Sequence, residues 1–207
     1  MVNIDSTSEA KRLEQLWGTK FGDAYIDRNT AAGESRAPFW RAVLTEFPAE
    51  RVLEVGCNIG GNLQWIAKEL QPHEVYGIDI NPKAIDVLHQ TIPGVNVLHG
   101  PARNLPFRDK WFDLVFTTGV LIHQPESTLP LVMAEIVRCS RRYILCGEYF
   151  AEQTTEVSYH NQEGALFKRN YGWLYQELFP ELRLRKQGFL DRRAGWDDVT
   201  YWVFEKP

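Results

Sequence analysis

The stretch Arg51 to Asn62, RVLEVGCNIGGN, restricts what this chain can fold into more than any other. It begins with a short apolar strand, Val52, Leu53 and Val55, and passes through a turn carrying Gly56, Gly60 and Gly61. Beyond the turn Leu63, Ile66, Ala67 and Leu70 recur at i, i+3, i+4 and i+7, the spacing of one helix face. Strand, tight turn and amphipathic helix together are the opening of a nucleotide-binding βαβ unit. Glycine suits such a turn because a Cβ would collide with the bend or with a bound group. The helix that follows presents its amide-rich N-terminus to whatever sits in the turn.

The ligand is narrowed by what the turn lacks. A dinucleotide fingerprint needs Gly-x-Gly-x-x-Gly so that the middle glycine can meet a pyrophosphate, and Asn58 stands at that position. No Gly-Lys-Ser/Thr ending is present either. Instead Glu54 precedes the first glycine by two residues, and a second acid, Asp79, ends the strand Val75-Tyr76-Gly77-Ile78-Asp79. An acid there can accept both ribose hydroxyls, so an adenosine without phosphates fits best. A purely structural turn in another doubly wound fold is the alternative.

Glu54-x-Gly56-x-x-x-Gly60 followed by Gly77-Ile78-Asp79 resembles the first two motifs of the class I S-adenosylmethionine-dependent methyltransferases. The resemblance implies S-adenosyl-L-methionine as cofactor, with Glu54, Gly56, Cys57, Gly60, Asp79 and Ile80 around it. Where that family carries an acid facing adenine, this chain reads Gly100-Pro101-Ala102-Arg103. Adenine recognition is therefore expected from the backbone of Ala102 or Arg103. Thr117, Thr118 and Gly119 follow the fourth strand, Phe112 to Phe116, and should line the site at the carboxyl edge of the sheet.

Strands alternating with helices imply a doubly wound, Rossmann-like α/β sheet, mostly parallel, within one domain over residues 1–207. A polar turn near Asp191 to Asp198 and the run Val199 to Phe204 predict an antiparallel hairpin strand at the C-terminus. Residues 1–36 read as a helical lid, opened by a capping box at Ser6-x-x-Glu9. In it Tyr25 or Arg28 would reach the methionine carboxylate, unless Tyr25 only packs on the sheet edge and Arg28 is solvated. Residues 150–180 break the alternation and are expected to recognise the acceptor, with a helix capped by Asn170 that buries Leu174, Leu178 and Phe179.

A narrower resemblance runs over almost the whole chain. Phe21-Gly22-Asp23-x-Tyr25-Ile26-x-Arg28-Asn29, Gly119-Val120-Leu121-Ile122-His123, Tyr143 to Tyr149, Leu166-Phe167-Lys168-Arg169 and Asp197-Asp198-Val199-Thr200-Tyr201-Trp202 look like the methyltransferases associated with pseudaminic acid biosynthesis. That resemblance implies a sugar-acid acceptor, free or nucleotide-linked.

Methyl transfer from a sulfonium is an in-line displacement, and a hydroxyl or ammonium acceptor must also lose a proton. The candidate bases are His123, Glu148 and His160, with Tyr149 and Tyr159 as hydrogen-bonding walls. Each has a structural alternative: His123 as a helix cap, Glu148 as the partner of Arg28 or Lys168, the tyrosines as packing aromatics. S-adenosylmethionine could also be used without methyl transfer, by cyclisation or aminobutyryl transfer, and a silent cofactor-binding module is the reading from another class.

A net charge of -4 argues against a general nucleic-acid binder, and no Asn/Asp-Pro-Pro-Tyr/Phe motif follows the fourth strand. Cys57, Cys139 and Cys146 lack metal-ligand spacing and read as free thiols of a reducing compartment. No metal site, membrane span or signal segment is expected, and the location expected is cytoplasmic.

Overall fold

The computed structural model describes residues 4–28 and 35–207. Seven strands form the main sheet in the order β3-β2-β1-β4-β5-β9-β8. They are β1 (Val52–Val55), β2 (Val75–Asp79), β3 (Asn96–His99), β4 (Phe112–Thr118), β5 (Ser140–Glu148), β8 (Arg183–Leu190) and β9 (Val199–Glu205). β1 to β5 pair in parallel, whereas β9 runs antiparallel to both β5 and β8. This is the expected Rossmann-like sheet with its antiparallel C-terminal strand. Chain order reverses between β1 and β4, so their carboxyl ends splay apart and leave a crevice.

Parallel strands covered on both faces need unbroken apolar runs, and all of β1 is buried. One face is covered by α3 (Ala37–Glu46), α4 (Leu63–Glu69) and α5 (Pro82–Thr91), through Trp40, Val43, Leu63, Ile66 and Leu88. The other is covered by α6 (Leu129–Cys139) and α7 (Tyr171–Leu178), through Val132, Met133, Ile136, Tyr171 and Tyr175. Asn81 caps α5, its Oδ1 accepting from the Ala84 N–H at 3.1 Å.

One helix differs from its expected phase. Asn170 caps α7 as its type suggests, but the helix buries Tyr171 and Tyr175 and leaves Leu178 41% exposed. Gly172 fixes that phase, because a Cβ there would lie 2.3 Å from Trp202 Nε1. In α6 Leu131 is 55% exposed while Leu129 and Val132 enter the core.

The N-terminal region forms α1 (Ile4–Trp17) and α2 (Lys20–Arg28). Chain at Ser6 is already helical, so the expected capping box does not open this helix; the Ser6 side chain, like Asn29, lies outside the described residues. Within 150–180 a small antiparallel pair, β6 (Thr155–Glu156) and β7 (Phe167–Lys168), precedes α7. Arg169, 3% exposed, donates to the Gln124 carbonyl at 3.1 Å and ties this insertion to the loop after β4.

Candidate functional site

A cavity of about 510 Å³ opens over the carboxyl ends of β1, β2 and β4. The glycine turn forms its floor. Gly56 has φ +76°, a conformation L side chains rarely adopt, and a Cβ there would also meet Val120 Cγ2 at 2.3 Å. The Gly56 and Cys57 N–H groups both donate to the Ile78 carbonyl, at 2.8 and 3.1 Å, locking the turn to β2. Gly60 does not line the cavity: its φ of +84° serves packing, since a Cβ would lie 2.5 Å from Ile92 Cδ1. Gly61 lines the wall instead.

Two acids flank the turn. Asp79 accepts from the Asn58 N–H through Oδ2 at 2.7 Å and from the Asn81 N–H through Oδ1 at 2.8 Å. The Ile80 N–H also acts on this carboxylate, which, with about four acceptor sites, keeps capacity for a further hydroxyl. Glu54 is buried; its Oε1 accepts from Asn62 Nδ2 at 2.6 Å and its Oε2 has no hydrogen-bond partner among the described residues. Burial pushes its pKa up to about 8, against the lowering effect of the Asn62 hydrogen bond and nearby Arg36.

Asn62 organises this corner. Besides Glu54, its Nδ2 donates to Thr118 Oγ1 at 2.8 Å. Its Oδ1 accepts from Arg36 at 3.1 Å and from Trp40 Nε1 at 3.2 Å. Arg36 also donates to the Gly195 carbonyl at 3.0 Å and stacks over Trp196 at 4.2 Å from the ring centre. Sequence reasoning missed both residues. An asparagine at a helix start reads as a cap, and nothing local shows its amide turned toward a buried acid; no side-chain cap bond forms at Asn62.

α1 and α2 form a roof over the crevice. Asn81 Nδ2 donates to the Trp17 carbonyl and to Asp23 Oδ1, each at 3.0 Å. Gly22 permits this approach, because a Cβ would fall 1.8 Å from the Trp17 carbonyl oxygen. Arg103, expected beside adenine, lines the cavity, yet its guanidinium is committed to Glu14 of α1 at 2.5 and 3.1 Å. Tyr25 lines the cavity, and burial pushes its hydroxyl up to about 12. Arg28 is exposed at the rim, so the cation set deeply beside Glu54 is Arg36.

His123 lines the cavity on the 3-10 turn Leu121–His123. Its Nδ1 lies 2.6 Å from the Ala165 carbonyl, an acceptor, so Nδ1 carries the proton and Nε2 keeps the lone pair. Desolvation lowers its pKa to about 4, keeping the ring neutral at pH 7. Trp17 and Tyr159 lie against it, with ring centres 4.3 and 5.6 Å away.

Glu148 is not at the surface of the site. It is fully buried, pairs with neither Arg28 nor Lys168, and accepts from the Val120 and Ile122 N–H groups at 3.2 and 3.3 Å. Burial raises its pKa to about 7, and its position makes it a clamp on the turn bearing His123 rather than a base facing a substrate. Thr117 is likewise buried beneath the lining, whereas Thr118 and Gly119 reach it. Cys57, Ile80, Ala102, Tyr149 and His160 also line the cavity, His160 as an exposed residue at φ +48°.

Comparison with known proteins places this geometry. Residues 52–142 match a family model described as a methyltransferase domain. The phthiotriol/phenolphthiotriol dimycocerosates methyltransferase of Mycobacterium leprae is 34% identical over 103 residues, 48% of this chain and 37% of that protein. A fatty-acid O-methyltransferase of Mycolicibacterium smegmatis is 37% identical over 76 residues, 36% of this chain and 28% of that protein. The chain thus spans well under half the length of these curated relatives. Among solved structures, the 1,6-didemethyltoxoflavin-N1-methyltransferase of Burkholderia thailandensis, with its substrate and S-adenosylhomocysteine bound, superposes with a TM-score of 0.73. Its identity is 18%, with 97% of this chain and 90% of that chain covered. Magnesium protoporphyrin IX methyltransferase of Synechocystis, with S-adenosylmethionine bound, gives a TM-score of 0.68 at 12% identity, covering 96% and 97%. At these identities the solved structures establish the fold.

Proposed function

We propose, from the methyltransferase-domain match over residues 52–142 and the cavity at its centre, that this chain is an S-adenosyl-L-methionine-dependent methyltransferase acting on a small polar molecule. The observation that carries this reading is the pair of acids on either side of the Gly56 turn. Asp79 retains acceptor capacity for a ribose hydroxyl. Glu54 has a buried carboxyl oxygen without a hydrogen-bond partner among the described residues, which suits an ammonium group. Arg36 would meet the methionine carboxylate, and Ile80, Ala102 and Arg103 would border the adenine. When bound, the cofactor supplies an electrophilic methyl group on a sulfonium. The roof of α1 and α2 would exclude water, and the neutral His123, with Nδ1 tied to the Ala165 carbonyl, would use Nε2 to hold a proton of the acceptor. Glu148 acts through the turn it clamps.

The relatives named above act on lipids by name, but the matched segments are confined to about half of this chain. The insertion at 150–180, where acceptor recognition is proposed, takes its sugar-acid reading from the narrower family resemblance. Arg28 and His160 at the rim supply positive and polar groups compatible with it. Non-methyl use of the same cofactor would employ the same pocket.

Titration with S-adenosylhomocysteine, S-adenosylmethionine and a nicotinamide dinucleotide tests the cofactor, with binding of the first two alone expected. Failure of both to bind removes the proposal. Mass analysis of turnover then separates the chemistries, S-adenosylhomocysteine marking methyl transfer and methylthioadenosine marking the others.

A further inference from the structure

Arg169 belongs to none of the roles above, and its setting is unusual for a cation. It is buried, yet no carboxylate pairs with it among the described residues. Its Nη1 donates to the Gln124 carbonyl at 3.1 Å and to Tyr171 Oη at 3.3 Å, and its guanidinium lies over Phe167 at 4.3 Å from the ring centre. Taking a charge out of water without an opposite charge is costly, so packing alone does not account for an arginine here.

The groups that this guanidinium joins show what it does. Gln124 directly follows His123, at the end of the 3-10 turn whose start Glu148 holds. Tyr171 Oη donates in turn to the Phe167 carbonyl at 2.9 Å, two residues beyond Ala165. One nitrogen therefore bridges the flanks of both partners in the hydrogen bond from His123 Nδ1 to the Ala165 carbonyl, partners 42 residues apart in the chain. The segment from Ala165 to Arg169 has other anchors: the Leu166 carbonyl accepts from the Val157 N–H at 2.9 Å, and the Arg169 N–H donates to the Tyr149 carbonyl at 3.3 Å. Neither ties it to the turn bearing His123. Between that segment and the turn, the hydrogen bonds among the described residues are those of His123 and of Arg169.

We propose that Arg169 is a positioning residue for His123, holding the Ala165 carbonyl on Nδ1 so that Nε2 is the nitrogen that takes a proton from the acceptor. This rests on the methyltransferase reading and deepens it. Neutral imidazole has two tautomers, and only one serves here. With the proton on Nδ1, the acceptor's proton can enter at Nε2, and the imidazolium so formed still donates its Nδ1–H to Ala165. If the carbonyl withdraws, the ring proton is free to sit on Nε2 and block it. The insertion at 150–180 thereby sets the state of the base through one buried side chain.

The test is nitrogen-15 NMR of the histidine-labelled full chain at pH 7, in which the two ring nitrogens report the tautomer. His123→Gln identifies the His123 signals among the five histidines. In the wild type the Nδ1–H form is expected to outnumber the Nε2–H form by about tenfold. Arg169→Met keeps much of the side chain without its donors and should lower that ratio to about twofold or less, whereas Arg169→Lys keeps a cationic donor and should restore part of it. Tyr171→Phe removes the link to Phe167 and should lower the ratio by about threefold, which decides the matter if Arg169→Met does not fold. Affinity for S-adenosylhomocysteine should stay within about twofold in these variants, because neither Arg169 nor Tyr171 lines the cavity. A wild type dominated by the Nε2–H form overturns the proposal. An unchanged ratio in folded Arg169→Met, or in Tyr171→Phe where the former does not fold, overturns it too. Loss of S-adenosylhomocysteine affinity with the ratio unchanged would assign Arg169 to the fold alone. If the wild type does not bind S-adenosylhomocysteine at all, the methyltransferase reading fails separately, and the tautomer ratios still decide the positioning.

Discussion

Cofactor binding should expel a proton, and the proton should come from Glu54. In the ligand-free protein burial holds this carboxyl at about pKa 8, so at pH 7 about nine-tenths of molecules carry it protonated. An ammonium group placed against its unpartnered oxygen favours the ionised form, returning the pKa toward the ordinary carboxylate range. Binding of S-adenosylhomocysteine should therefore release close to one proton at pH 6, about 0.9 at pH 7 and about half at pH 8. Calorimetric titration at each pH, in two buffers of different ionisation enthalpy, reads that number directly. The apparent association constant should rise by nearly tenfold from pH 6 to pH 7 and less steeply above. Glu54→Gln keeps an oxygen for Asn62 but cannot ionise, so its binding should be pH-independent over this range and weaker at pH 8 by about 10- to 100-fold, the worth of a charge-assisted hydrogen bond. Zero proton release in the wild type, or the same release in Glu54→Gln, would refute the placement of the ammonium at Glu54.

The remaining predictions address stability and the roof. Asn62→Ala strands four polar partners, Glu54, Thr118, Arg36 and Trp40, and should lower unfolding free energy by about 3 kcal/mol, measured by urea denaturation; a change below about 1 kcal/mol would show that the network relaxes. Glu54 and Glu148 have folded pKa values, about 8 and about 7, above the ordinary 4.5, so the folded state binds more protons than the unfolded state. Stability of the ligand-free protein should then fall as pH rises from about 6.5 to 8, by at most about 1.4 kcal/mol per pH unit for each acid, and a flat profile would contradict their burial. His123, depressed to about 4, acts in the opposite sense only below its unfolded value of 6.5. Gly22→Ala forces α2 off Trp17 and Asn81, and limited proteolysis should cut the first 28 residues faster while the sheet persists; unchanged cleavage would mean the roof does not depend on that approach.

Local pattern made much of this protein legible before any coordinates. The period change from Val55 to Leu63, the helix start at Asn81-Pro82 and the terminal run Val199 to Phe204 each encode their element through side-chain spacing or backbone limits, which act over a few residues. For the same reason the floor of the site was legible: Gly56 and Asp79 sit at strand ends, and strand ends in a parallel sheet point to one crevice. Tertiary structure alone decided which charged groups face that crevice and which are committed elsewhere. Arg103 and Arg36 look alike in sequence, but a helix almost ninety residues away neutralises the first, and Asn62 and Trp196 hold the second beside Glu54. Glu148 and Asp197 are both carboxylates at sheet ends, yet one is sealed under a turn of backbone amides and the other lines the cavity. Partnering of this kind depends on groups distant along the chain and on the low dielectric between them, neither of which a sequence window contains.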